Sequence, residues 1–96
     1  MPAYIIGHIA IKNPEQWDAY RAQVGATIAA WGGELVFRGK KIEVFNGEHP
    51  QTDTVVARFP DRATVLGWHA SPEYQALIPL RDAGADVTLI SYEATA

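Results

Sequence analysis

Apolar residues recur along this chain at two periods, and the switches between them mark out its elements. From Tyr4 to Ile11 the side chains alternate, with Ile5, Gly7, Ile9 and Ile11 in one set and Tyr4, Ile6, His8 and Ala10 in the other. Apolar residues in both sets predict a strand covered on each face. The period then lengthens. Asn13 is placed to cap a helix, Pro14 suits its first position, and Gln16 stands three residues beyond the cap. Trp17, Tyr20, Val24, Ile28 and Trp31 follow at helical spacing and predict one buried stripe. Gly32-Gly33 marks the helix end, because a left-handed C-terminal residue costs least as Gly.

Leu35 to Phe45 carries two short extended runs interrupted at Arg38-Gly39-Lys40-Lys41. That pattern predicts either a hairpin or one long strand with a bulge. Asn46 to Pro50 reads as a loop. Thr54 to Phe59 alternates again, with Val55, Ala57 and Phe59 opposite Thr54, Val56 and Arg58. Asp61 is the cap candidate of a second helix, on which Val65, Trp68 and His69 lie on or beside one face. The stretch Trp68 to Arg81 then contains a capped restart at Ser71-Pro72 and a bend or stop near Pro79. Gly84 closes the helical region, and Val87 to Tyr92 is the last strand.

The order β-α-β(β)-β-α-β in segments this short predicts an α+β fold: a ferredoxin-like sandwich, with two helices on one face of an antiparallel sheet. In that topology the first and third strands are the central pair. Their aliphatic sets, Ile5/Ile9/Ile11 and Val55/Ala57/Phe59, face the helices. Tyr4/Ile6/His8 and Val56/Arg58 then share the opposite face, which no helix covers. A face this apolar is not normally left in water. The expectation is a homodimer in which a second sheet packs against it and encloses His8 and Arg58 in a pocket beside aromatic walls.

Composition supports association. The chain has 96 residues, read as one domain over 1–96, yet 48% are hydrophobic, including three Trp, four Tyr and three Phe. Net charge is −3, with eight basic residues scattered along the chain. No basic stripe for a phosphate backbone is present, which argues against nucleic acid. The absence of Cys excludes disulfides, thiol catalysis and thiolate metal sites. The N-terminal stretch lacks a signal-peptide pattern, and no segment approaches a membrane span, so a soluble cytoplasmic protein is expected.

Several short motifs act together: Pro2-Ala3-Tyr4, Asn13-Pro14-Glu15 with Tyr20-Arg21, Gly32-Gly33, Arg38-Gly39, and Glu43-Val44 with Asn46-Gly47-Glu48. Phe59-Pro60, Ser71-Pro72-Glu73-Tyr74-Gln75-Ala76-Leu77 and Pro79-Leu80-Arg81 complete the set. Over nearly the whole chain this resembles the small bacterial proteins grouped as domain-of-unknown-function family 1330. The resemblance implies a dimeric α/β barrel related to the ferredoxin-like fold. It implies no established activity.

For chemistry, His8 is the candidate general acid or base, with Arg58 across the parallel strand as anchor for an anionic substrate. Arg38 and Arg81 are the other possible anion clamps, since a guanidinium grips a carboxylate with two hydrogen bonds. Arg81 reads better as a partner of surface carboxylates such as Glu34, Glu43, Glu48 or Glu73. Tyr4, Trp68, His69 and Tyr74 are candidate pocket walls, whereas Trp17, Tyr20 and Trp31 read as core. His69 and Glu73 have i,i+4 spacing, but the Ser71-Pro72 break spoils it for a metal. No metal and no cofactor is therefore expected. There is no Gly-x-Ser-x-Gly elbow and no phosphate-cradling Gly loop. Two classes of function remain. One is a dimeric module whose semi-enclosed pocket binds a small anionic or aromatic metabolite or is simply filled with side chains. The other, implied only by likeness to dimeric α/β-barrel enzymes, is a cofactor-free isomerase, dehydratase or monooxygenase.

Overall fold

The computed structural model describes residues 1–95. Eight elements follow one another: β1 (Ala3–Ile11), α1 (Pro14–Ala29), β2 (Glu34–Lys40), β3 (Asp53–Phe59), α2 (Arg62–Ala70), α3 (Pro72–Gln75), α4 (Ile78–Gly84) and β4 (Ala85–Glu93). The strands form one antiparallel sheet in the order β2-β3-β1-β4. This is the ferredoxin-like α+β sandwich that the element order predicts.

Local chemistry sets the helix starts. The Asn13 side chain accepts from the Gln16 amide at 3.2 Å, with Pro14 in the first turn of α1. Asp61 and Thr64 form a reciprocal capping box on α2, in which Asp61 Oδ1 accepts from the Thr64 amide at 2.8 Å and Thr64 Oγ1 accepts from the Asp61 amide at 3.2 Å. Ser71 Oγ accepts from the Tyr74 amide at 3.3 Å and starts α3. Beyond α1, Gly32 adopts a left-handed φ of 75°, which a side chain would strain. At Gly84 the constraint is space: a Cβ there would stand 2.6 Å from the Trp17 amide nitrogen. That close approach lets the Gly84 carbonyl accept from the Lys12 and Asn13 amides and ties α4 to the start of α1.

The strand registers sort the two faces of the sheet. Ile5 pairs with Ala57 and Gly7 with Val55 on the helix side, where Ile5, Ile9, Ala57 and Phe59 are buried beneath Trp17, Tyr20, Trp68 and Tyr74. Tyr4 pairs with Arg58, Ile6 with Val56 and His8 with Thr54 on the other side, continued by Tyr92, Ile90 and Thr88 of β4. No element covers that face among the described residues. Ile90, Tyr92 and Phe37 are 37%, 50% and 50% exposed there.

Four sequence expectations change or sharpen. Helix α1 ends at Ala29, so Trp31 lies beyond the stripe and leans its ring on Gly67 of α2. The bulge in β2 falls between Leu35 and Phe37, ahead of Arg38-Gly39-Lys40-Lys41. The second extended run forms no strand, because pairing with β3 ends at Lys40↔Asp53 and Ile42 to Phe45 have no strand paired with them. Its Ile42 and Phe45 are therefore left 98% and 95% exposed. Finally, the break expected near Pro79 falls just before it: α3 stops at Gln75, and Pro79 sits in the first turn of α4.

Candidate functional site

A cavity of about 480 Å³ lies between α1 and the helix-facing side of the sheet. Its floor is the aliphatic set of the two central strands, Ile5, Ile9, Val55 and Ala57, extended by Val87 and Leu89 of β4. Tyr20, Val24 and Ile28 of α1 and Trp68 of α2 close it from above. The walls are mostly hydrocarbon because both facing stripes are. Gly25 of α1 also stands on the wall, where a Cβ would meet nothing within 4 Å.

The roof is rigid. The Trp68 indole N–H donates to Thr27 Oγ1 at 3.0 Å, and the Thr27 hydroxyl donates to the Val24 carbonyl at 2.7 Å, so α2 is fastened to α1 across the cavity. The Tyr20 and Tyr74 hydroxyls share a hydrogen bond of 3.1 Å, and Arg81 Nη1 donates to the Tyr74 hydroxyl at 3.0 Å. Burial first, and the neighbouring Tyr74 next, push the Tyr20 phenol far above its ordinary range. It is a neutral hydrogen-bonding group at any physiological pH.

Charge is confined to the lip, where Arg21, Arg38, Lys40, Glu34 and Asp53 stand. Burial, and secondarily the nearby Arg21, hold the Arg38 guanidinium below its ordinary value. Arg21 has Asp18 at 3.6 Å, and Glu34 has Arg58 at 3.7 Å.

The predicted site residues divide between the two sides of the sheet. Arg38 and Trp68 line the cavity. Tyr74 stands behind its roof, fully buried, with its ring 4.2 Å from that of Trp68. His69 is exposed beside them at the end of α2. Tyr4, His8 and Arg58 share the open face, as the strand alternation predicts. β1 and β3 run antiparallel, however, and not parallel as the pairing of His8 with Arg58 assumed. Arg58 faces Tyr4, four residues from His8, or about 13 Å along the strand. Within one protomer the two do not converge. His8 instead meets His49 of the 41–52 loop edge-on, with ring centroids 4.7 Å apart. The two share a shallower depression of about 280 Å³ with Phe37, Lys41 and Thr54. The Nδ1 of His8 is buried there without a hydrogen-bond partner among the described residues.

Arg81 pairs with Asp82 at 3.0 Å and with Tyr74, rather than with a glutamate. Among the described residues no group of three or more His, Asp or Glu side chains is placed to hold a metal ion. Helix α2 ends at Ala70, between His69 and Glu73. No helix among the described residues is long and apolar enough to cross a membrane.

Trp17, Tyr20 and Val24 are core, with Ile28 packed against them, as the spacing predicts, and the same stripe also lines the cavity. Two signals pointed there: Gly25 inside the helix, and Arg21 four residues before it.

The chain belongs to the family described as domain of unknown function (DUF1330), whose family model matches residues 2–95. No curated protein matches it. Among solved structures, the RPA0582 protein of unknown function from Rhodopseudomonas palustris superposes with a TM-score of 0.81 at 18% identity, over 99% of this chain and 83% of that one. A dimeric ferredoxin-like protein of unknown function from Jannaschia sp. CCS1 gives 0.76 at 12% identity, over 98% and 100%. SnoaB, a cofactor-independent oxygenase from Streptomyces nogalater, gives 0.72 at 14% identity, over 99% and 94%. At these identities the likeness is one of fold.

Proposed function

We propose that this protein binds a small, largely apolar molecule in the cavity under α1, and that it does so as a homodimer joined through the open face of the sheet. The observation that carries the binding site is the cavity itself. Its volume falls within the range of small-molecule pockets, about 300–1,000 Å³, and its walls are aliphatic and aromatic with polar groups only at the rim. A helix-interior Gly costs about 1 kcal/mol relative to Ala. Gly25 is exposed on the cavity's wall, where a Cβ would meet no other atom within 4 Å.

The dimer rests on the uncovered sheet face, whose centre is Ile6, Val56 and Ile90, and on relatives of this fold that are described as dimeric. The ligand site and the dimer contact are then on opposite sides of one sheet. The pocket expected between subunits moves to the inside of each protomer.

Calorimetric titration with 1-naphthamide, a neutral two-ring probe, tests the cavity. The wild-type chain should bind it. Gly25→Leu, which puts a branched side chain into the void, should lose at least tenfold in affinity while circular dichroism and thermal stability are kept. Equal binding by both would place the ligand elsewhere. The likeness to SnoaB supports an alternative in which the same cavity holds an oxygenase substrate. Dioxygen consumption with a bound aromatic would favour it, and recovery of the probe unchanged would favour binding alone.

A further inference from the structure

We infer that the ligand of this cavity is a carboxylic acid with an apolar ring or short hydrocarbon body, whose carboxylate is gripped by Arg38 at the lip. The inference rests on the binding reading above and adds the chemical class. It comes from how the charges of β2 are matched. This strand carries three charged residues besides its apolar ones, Glu34, Arg38 and Lys40. Glu34 stands opposite Arg58 and Lys40 stands opposite Asp53, each a cross-strand pair of opposite sign. Arg38 stands opposite Val55.

Val55 is paired in turn with Gly7 on the helix-facing side, so Arg38 lies on the cavity side of the sheet. Among the described residues Arg38 takes part in no ion pair. The charge felt most at its guanidinium is a second one of the same sign, Arg21 across the lip on α1. Two guanidiniums facing one opening, one of them without a counterion, form a site that an anion completes. A carboxylate fits the planar fork of Arg38 with two hydrogen bonds. The floor and roof behind it offer no donor set for a second charged group and no Gly-rich loop for a phosphate chain. The acid group therefore sits at the lip, and the apolar body points inward towards Trp68 and Val87.

The test compares 1-naphthoate with 1-naphthamide, which have the same rings but differ in charge, by calorimetric titration at pH 7 and low salt. The naphthoate should bind several-fold more tightly, up to about tenfold, as a bidentate but solvent-exposed pair allows, and the preference should shrink as salt is raised. Arg38→Ala should abolish the preference by weakening naphthoate binding much more than naphthamide binding. Arg38→Lys, which keeps the charge but not the fork, should restore part of it. Arg38 is exposed on an edge strand, so both variants fold. If neither probe binds the wild-type chain, the cavity reading fails and this inference with it. If both bind equally, or if Arg38→Ala keeps the preference, the cavity stands and the carboxylate assignment is overturned.

Discussion

Tyr74 shows how one side chain joins three parts of this molecule. Its ring packs on Trp68, its hydroxyl meets that of Tyr20, and the same oxygen accepts from Arg81, whose side chain is only 15% exposed. Tyr74→Phe keeps the ring and removes both hydrogen bonds. It leaves the buried Tyr20 hydroxyl and one guanidinium nitrogen without their partner, at a cost of about 1–3 kcal/mol. Urea unfolding should show that loss with an unchanged m-value, and a variant as stable as the wild type would mean that water replaces the hydroxyl. The sequence offered Tyr74 as a wall of a pocket between subunits, and the structure buries it in the core of one protomer. Whether an aromatic side chain faces a void or backs another ring depends on neighbours distant in the chain.

At the scale of the element, α2 has the clearest local instruction. Asp61 is fully exposed, yet its hydrogen bonds from Thr64, the backbone one first, hold its carboxyl below the usual carboxylate range. The folded value lies below the unfolded one, so the cap stabilises above the ordinary carboxylate pKa and loses that contribution as pH falls through the folded value. Asp61→Ala should lower Tm more at pH 7 than at pH 2, where the protonated carboxyl keeps only a neutral acceptor, whereas Asp61→Asn, which also keeps an acceptor, should retain most of the neutral-pH stability. An equal loss at both pH values would point to something other than the cap. Caps of this kind were legible because their partners lie three residues apart. The stretch Ile42 to Phe45 shows the opposite case: its composition suits a strand, but a strand needs a neighbour, and β3 offers no further positions beyond Asp53.

For the whole molecule, the decisive feature is a sheet with helices on one side only. Ile6 lies at the centre of the open face, flanked by Val56 and Ile90 in register. Ile6→Lys should convert a dimer into a monomer in sedimentation equilibrium, because burying an unpaired ammonium between two sheets is prohibitive, and it should leave naphthamide binding in the cavity intact. A wild-type chain that sediments as a monomer at micromolar concentration would sink the dimer. Loss of binding along with dimerisation would show that the two faces of the sheet do not act independently.

The strand alternation, the caps and the Gly positions determined by themselves the element order, the ferredoxin-like fold and the side of the sheet on which each residue of β1 and β3 lies. Those properties depend on neighbours a few residues apart or on a period of two, and a sequence states both directly. Only the tertiary structure decided that a cavity lies between α1 and the sheet, that Arg38 faces Val55 instead of a carboxylate, and that His8 and Arg58 stand four residues apart along the strand. A void and an unmatched charge are properties of packing and register between segments far apart in the chain, so they exist only once the helices have settled on the sheet.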